Sequence, residues 1–394
     1  MSPYWLILLF LSSLSCHHVL SHSKVELLPG FDGPLPFTLR TGYIGVDEGE
    51  EVQLFYYFIE SENDPKEDPL LLWLTGGPSC STISAIVYEI GPLKFEEIQY
   101  NGSLPKLVSR QYAWTKMANI LFVDLPVGTG FSYAKTPRAN YSGDFRTSSH
   151  VNQFLRKWLV NYPEFISQSL YIGGDSYSGF TLPLFFEDML HGNPSTDRYI
   201  DNNHIIPFAH GMGLISDELF EELERTCGGE YHNVDPNKVE CVNNMKAFEA
   251  KEGYELVYYW MADRNVQEAL HVRKESIGEW RRCNYEFEYS FEVESSVKYH
   301  AKLSTKGFRS LIYSGDHDLV VPFLGTQAWI RSLNYSIVDD WRRWWVDGQI
   351  AGFTRTYSNR MTFATIKGAG HTAPEYKPKE CLAMFERWIH GNPL

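Results

Sequence analysis

Positive charge is scarce in this chain. Its 394 residues carry 35 Lys and Arg against 49 Asp and Glu, a formal net charge of −14, which argues against nucleic acid or an anionic membrane surface as a partner. Cysteine is scarce too, at six residues. None form CxxC or a spacing that suits zinc, so no metal site and no cofactor is expected. Beyond the N-terminus no apolar run is long enough for a membrane helix, and no internal repeat is present. Charged residues make up only 21%, against 43% hydrophobic and 15% aromatic. That ordinary composition excludes a disordered chain and allows a sizeable core, in one large α/β domain with an insertion or in two domains.

The N-terminus does carry a short apolar run, Tyr4 to Leu14, followed by polar residues through Cys16–His17–His18. It is too short to cross a bilayer and sits where a secretory h-region belongs, although no Lys or Arg precedes it. Residues 1–23 therefore read as a cleaved signal peptide, and the remainder as a soluble secreted or vacuolar protein with no membrane attachment. Cys80, Cys227, Cys241, Cys283 and Cys381 then remain, enough for two bridges and one free thiol. Sequons at Asn101, Asn140 and Asn334 are glycosylation candidates.

Along the chain, Val52, Leu54, Tyr56 and Phe58 alternate as in an amphipathic strand. Pro69 to Leu74 and Asn119 to Leu125 are nearly continuous apolar runs, expected as central strands covered on both faces. Val151, Phe154, Leu155, Trp158 and Leu159 repeat at helical spacing up to Pro163. A strand from Leu170 to Ile172 runs into Gly173–Gly174–Asp175–Ser176–Tyr177–Ser178–Gly179. Residues 195–273 turn acidic and helix-prone and read as an inserted cap, dividing a core of 24–194 and 274–394. Strands Arg309 to Tyr313 and Thr362 to Ile366 follow, then a helix presenting Cys381, Leu382, Phe385, Trp388 and Ile389 on one face with Gly391 as its stop. This alternation predicts an α/β fold with a mostly parallel central sheet flanked by helices.

A serine in a tight, small-residue turn between strand and helix is a nucleophile elbow, and Gly174-x-Ser176-x-Ser178–Gly179 fits, with Ser178 where Gly is usual. Downstream, Gly315–Asp316–His317–Asp318 and Gly368–Ala369–Gly370–His371 each follow a strand. Serine, acid and histidine thus come at strand ends in the order an α/β-hydrolase fold requires for a triad. Spacing does not choose between Asp316 and Asp318. The Tyr177 N–H and the loop Thr75–Gly76–Gly77–Pro78 are the candidates for an oxyanion hole, since glycine there lets backbone approach a substrate.

These segments, together with Trp73–Leu74–Thr75–Gly76–Gly77–Pro78–Ser79–Cys80–Ser81, Leu125–Pro126–Val127–Gly128–Thr129–Gly130–Phe131–Ser132–Tyr133 and Gly370–His371–Thr372–Ala373–Pro374, resemble the serine carboxypeptidases. The resemblance is greatest to the plant serine carboxypeptidase-like acyltransferases and runs through nearly the whole mature chain. It implies Ser176 as nucleophile, Asp318 as triad acid, His371 as base, and Gly77 and Tyr177 as oxyanion donors. It also implies disulfides Cys80–Cys283 and Cys227–Cys241, leaving Cys381 free.

Peptidases of that family carry Asn-Gly-Gly-Pro-Gly and Gly-Glu-Ser-Tyr, whose Asn and Glu grip a peptide C-terminal carboxylate. Here Thr75 and Asp175 stand at those positions, which favours acyl transfer from a glucose ester of an aromatic acid to an acceptor over release of residues from peptide C-termini. Glu89 matches a family carboxylate near this loop and is expected to pair with Asp175; Thr75, Gly76, Glu89 and Asp175 are the substrate-binding candidates. Two departures stand out. Ser79 replaces a glycine, straining the loop if its φ is positive. The family's apolar strand is not evident between Gly192 and Ile205, nor is a cysteine pair between Cys241 and Tyr258. Trp341–Arg342–Arg343–Trp344–Trp345 reads as a partly buried aromatic face.

Overall fold

A computed structural model describes residues 22–184, 189–246 and 254–394. Nearly all of the expected signal segment, and part of the 241–258 stretch, lie outside the described residues. Eleven strands run through the main sheet: β1 His22–Leu27, β2 Pro34–Val46, β3 Val52–Ile59, β4 Leu70–Leu74, β5 Asn119–Val123, β6 Leu170–Asp175, β7 Met189–Gly192, β8 Ser310–Gly315, β9 Ile337–Val346, β10 Gln349–Tyr357 and β11 Met361–Ile366. The spatial order is β1-β2-β3-β5-β4-β6-β7-β8-β11-β10-β9, and the short strand Tyr133–Ala134 adds to β3. The pairs from β5 to β11 are parallel, and the outer strands at both ends are antiparallel. This is the α/β-hydrolase architecture that the strand–helix alternation leads one to expect.

Parallel strands need crossovers that cover both faces of the sheet. One is the helix Asp144–Asn161, which buries Val151, Phe154, Leu155 and Trp158, the face expected from the sequence. It packs on Leu54, Tyr56 and Phe58 of β3 and Leu70, Leu72 and Leu74 of β4. Phe55, Tyr57, Leu71, Trp73, Ile120 and Phe122 point to the other face, where they meet Cys381, Phe385 and Trp388 of the helix Pro378–Ile389.

One expectation is corrected. The alternation in β3 is not between core and solvent, because all eight residues are buried. Alternate side chains enter two cores, one on each face, since β2 and β5 flank the strand. As the apolar pattern leads one to expect, no strand lies between Gly192 and Ile205, where a short helix runs from Arg198 to Asn203; the sheet between β6 and β8 is instead filled by β7, which the sequence did not mark. It is only four residues long and contains His191 and Gly192, so no apolar run betrays it.

Strands β9 and β10 form a hairpin. Trp344 is fully buried, with its indole N–H donating to Thr365 O at 3.0 Å, and Trp345 faces out at 46% exposure, as the period of a strand dictates. Between residues 195 and 273, Leu223, Tyr231 and the bonded Cys227–Cys241 pair make a small core of their own with Ile206. Val257, Trp260, Met261 and Val266 instead join the main core.

Candidate active site

The central strands end on one edge of the sheet, and the loops that leave them meet there. β6 turns sharply after Asp175, and Ser176 takes φ 52° in the left-handed region, a strain of order 1–3 kcal/mol that exposes its hydroxyl. The turn is tight enough to dictate its neighbours. A Cβ at Gly174 would lie 2.3 Å from Leu74 O, and one at Gly76 would lie 2.5 Å from Ser176 Cβ and 2.6 Å from Tyr177 N. The loop after β4 is thus pressed onto the elbow at Gly76, and Gly77 lines the same cavity as Ser176.

That loop is tied down twice. Asp124, at the end of β5, accepts from Ser81 Oγ at 2.7 Å, Thr82 N at 2.9 Å and Phe131 N at 3.0 Å, which holds it to the Leu125–Tyr133 turn. Burial pushes the Asp124 carboxyl up to about 6, against these three donors. The second tie is the Cys80–Cys283 disulfide, spanning 203 residues of sequence. Ser79 takes φ 72°, the positive value at which a serine is strained, and its hydroxyl donates to Asn284 O at 2.8 Å.

From β8 and β11 come the acid and the imidazole. Asp318 Oδ2 lies 2.8 Å from His371 Nδ1, with the Asp318 side chain fully buried. Asp316 is turned away, paired with His317 Nδ1 at 2.6 Å and accepting from Gly368 N at 2.6 Å. Ser176 and His371 line one cavity of about 160 Å³. Asn193, just past β7, was missed by sequence reasoning. Its side-chain amide donates to Asp318 Oδ2 at 2.6 Å, and the backbone N–H groups of Val320 and Val321 donate to Oδ1 at 2.8 and 3.2 Å. Asn193 has φ 41°, a conformation that Asn tolerates. Gly192–Asn193–Pro194 carries residues typical of a turn, but no local signal marks Asn193 as a partner of an aspartate 125 residues on.

Thr75, Gly76, Gly77, Glu89 and Asp175 line the same cavity, with Tyr88, Tyr254, Arg282 and Tyr285, which the sequence did not single out. Glu89 ends the π-helical turn Ala85–Glu89, a geometry frequent at functional sites. Glu89 and Asp175 are both buried, and Glu89 Oε2 and Asp175 Oδ1 have no hydrogen-bond partner among the described residues. Burial pushes Glu89 far above the carboxylate range, with Asp175 and Glu375 adding to the rise and Arg110 and Arg282 opposing it. Burial raises Asp175 as well, against the pull of His371. The two acids influence each other's charge. Thr75 is turned toward Thr82, hydroxyl to hydroxyl at 3.4 Å.

The remaining candidates lie elsewhere. Asn101, Asn140 and Asn334 are outside the cavity, and all three are exposed; Cys381 is a buried free thiol. Among the described residues no cluster of His, Cys, Asp and Glu could hold a metal ion, and no helix is long and apolar enough to cross a membrane. A strained serine hydroxyl, an imidazole oriented by a buried carboxylate and closely packed backbone amides are the parts that acyl transfer through a covalent intermediate uses.

Comparison with known proteins agrees. A family model described as serine carboxypeptidase matches residues 29–259 and 252–391. Serine carboxypeptidase-like 2 of Arabidopsis thaliana is 52% identical, with 99% of this chain and 97% of that protein covered; serine carboxypeptidase-like 12 of the same plant is 50% identical over 98% and 99%. The alignment with the former runs over 429 residues against the 394 of this chain, so at least 35 of its positions have no counterpart here. Among solved structures, Kex1, a prohormone-processing carboxypeptidase from Saccharomyces cerevisiae, superposes with a TM-score of 0.75 at 19% identity, covering 93% of this chain and 95% of that one. That likeness is one of fold.

Proposed function

This chain belongs to the serine carboxypeptidase family, and from that premise we propose that it is an acyltransferase using glucose esters of aromatic acids as donors. Ser176 Oγ attacks the ester carbonyl while His371 takes its proton, and Asp318 holds the imidazole in the required tautomer. The negative charge that develops on the carbonyl oxygen is met by the N–H groups of Gly77 and Tyr177. Collapse of this intermediate breaks the ester bond, and His371 gives its proton to the departing glucose oxygen. An alcohol or amine acceptor then attacks the acyl-Ser176 ester, losing its proton to His371, and Ser176 recovers the proton as the product leaves.

The observation that carries this reading is the meeting of Ser176 and His371 in one cavity with the Asp318 contact behind them. The choice of transfer over peptide trimming rests on Thr75 and Asp175. An amide at position 75 would offer a donor into the cavity, whereas Thr75 spends its hydroxyl on Thr82. The peptidase reading draws support from Glu89 and Asp175, whose raised pKa values leave a proton available to a peptide carboxylate. Acyl donor and acceptor, or peptide C-termini, are the partners of these two readings. The shorter length relative to the plant relatives favours a third, a secreted protein with an inactive site. Labelling of Ser176 by a fluorophosphonate probe excludes it.

A secretory route, with residues 1–23 removed and glycans on Asn101, Asn140 and Asn334, fits the two disulfides. The domain division is part of the same proposal: core 24–194 and 274–394, cap 195–273. Incubating the secreted protein with a panel of aromatic glucose esters and blocked dipeptides, with products followed by mass spectrometry, tests the function. Acyl transfer with release of glucose is the expected result; efficient trimming of dipeptides with no use of glucose esters overturns it in favour of the peptidase.

A further inference from the structure

Tyr177 follows Ser176, and its side chain is anchored more firmly than its place next to a reactive serine requires. The phenol donates to Asp144 Oδ1 at 2.7 Å and accepts from Arg198 Nη2 at 3.1 Å. Asp144 is fixed in turn by three other donors, the Tyr289 hydroxyl and the amides of Glu292 and Val293, all at 2.8 Å. It is the first residue of the helix Asp144–Asn161, where the helix dipole favours a carboxylate. The Arg198 guanidinium lies over the rings of Phe291 at 4.6 Å and Phe180 at 5.2 Å. Several distant segments of chain therefore converge on one phenol oxygen and its carboxylate, and neither Asp144 nor Arg198 lines the cavity that holds Ser176.

We propose that this clamp fixes the Tyr177 N–H as an oxyanion donor, which makes Asp144 and Arg198 positioning residues for acyl transfer. The proposal rests on the reading of Ser176 as nucleophile. The local chain gives the amide little support of its own. It follows a residue in the left-handed region, and the helix it leads into, Ser178–Thr181, has only four residues, too few to be stable without tertiary contacts. An oxyanion donor acts only if it is aimed at the position the oxygen takes in the transition state, and losing one costs about 10²–10³ in rate. A side chain tethered at its far end to the start of an 18-residue helix holds that aim.

A hydroxyl that is merely satisfied in the core would affect stability alone; a hydroxyl that aims the amide affects the chemical step. Tyr177→Phe separates the two, because it keeps the main-chain N–H, the ring, and the three other donors to Asp144. The measurement is the stopped-flow burst of p-nitrophenolate from p-nitrophenyl acetate, which gives the acylation rate constant and the ester dissociation constant separately. In Tyr177→Phe the rate constant is expected to fall about 10- to 100-fold with the dissociation constant within about twofold of wild type; Arg198→Met is expected to lower the same rate constant several-fold. An unchanged acylation rate, or a loss carried wholly by the dissociation constant, overturns the proposal. If circular dichroism shows that Tyr177→Phe does not fold, Arg198→Met decides by the same criteria. A Ser176→Ala variant that releases p-nitrophenolate as fast as wild type overturns the nucleophile reading itself, and the clamp with it.

Discussion

Two sets of buried acids stand behind the Ser176–His371 cavity, and their surroundings differ. Asp318 is 1% exposed, Glu89 2% and Asp175 6%, so burial does not distinguish them. Hydrogen-bond donors do. Asp318 receives Val320 N and Val321 N on one oxygen and Asn193 Nδ2 on the other, which also faces His371. Glu89 and Asp175 each keep an oxygen with no partner among the described residues, and burial raises both. Desolvation favours the neutral carboxyl and donors oppose it, without always prevailing, as Asp124 shows. The first arrangement makes an oriented acceptor that can only hold an imidazole in place. The second leaves polar atoms uncommitted on a cavity wall, where a ligand can complete them.

The harshest way to break this comparison is to remove the groups that Asp318 serves. Ser176→Ala or His371→Ala should each lower acyl transfer by roughly 10⁴-fold or more, and the double variant should lose little beyond either single one, because the groups act as a unit. Multiplying losses in steady-state kinetics would argue that they do not. Next comes the donor set itself. Asn193→Ala removes the amide from Asp318 Oδ2, a hydrogen bond to a charged group worth about 1.5–3 kcal/mol. The turnover number should fall roughly 10- to 100-fold while thermal unfolding moves only a few degrees. A variant with wild-type turnover would show that Val320, Val321 and the loop suffice to orient the acid.

A smaller effect is expected from the other wall. Thr75→Asn combined with Asp175→Glu should raise hydrolysis of blocked dipeptides relative to transfer from glucose esters by about 1–3 kcal/mol, or roughly five- to 150-fold in selectivity. A product ratio that does not move would deny these two positions any part in the choice.

The finest test is a pH titration of stability. The folded pKa values of Glu89 and Asp175 lie above the unfolded ones, so between the two the folded state holds protons that the unfolded state has released. Stability therefore falls as pH rises from the ordinary carboxylate range near 4.5 toward the raised folded values, with a slope of about 1.4 kcal/mol per pH unit for each such proton. Glu89→Gln should flatten that decline in urea titrations between about pH 4.5 and 7. Buried His300 works in the opposite direction: its pKa is lowered by burial from 6.5 to about 3, so stability is lost as pH falls from 6.5 toward 3. An equally steep decline above about pH 4.5 in Glu89→Gln would mean that Glu89 is not among its sources.

Much of the fold and the placing of the candidate site at strand ends were legible in the sequence, for physical reasons that also explain the gaps. Continuous apolar runs mark strands buried on both faces, so β4 and β5 stood out, as did the helix carrying Phe154 and Trp158. Ser176, Asp318 and His371 each follow a strand, and strand ends meet at one edge of a parallel sheet. β7 escaped because four residues including His191 and Gly192 leave no hydrophobic signature. With it went Asn193, whose role exists only because β7 lies next to β8. The choice of Asp318 over Asp316 and the pairing of the cysteines came from family resemblance alone. The open oxygens on Glu89 and Asp175 depend on packing among segments far apart in the chain, which no local pattern records.

The most direct test of the central claim is to trap the acyl-enzyme. After brief incubation of the secreted protein with a cinnamic-type acyl glucose ester and rapid acid quench, peptide mass spectrometry should find the acyl mass increment on the peptide containing Ser176. The increment should disappear when an acceptor alcohol is present, with the acyl group recovered in the new ester. Acylation of Ser176 by blocked dipeptides but not by the glucose ester, or no acylation of Ser176 at all, would contradict the account.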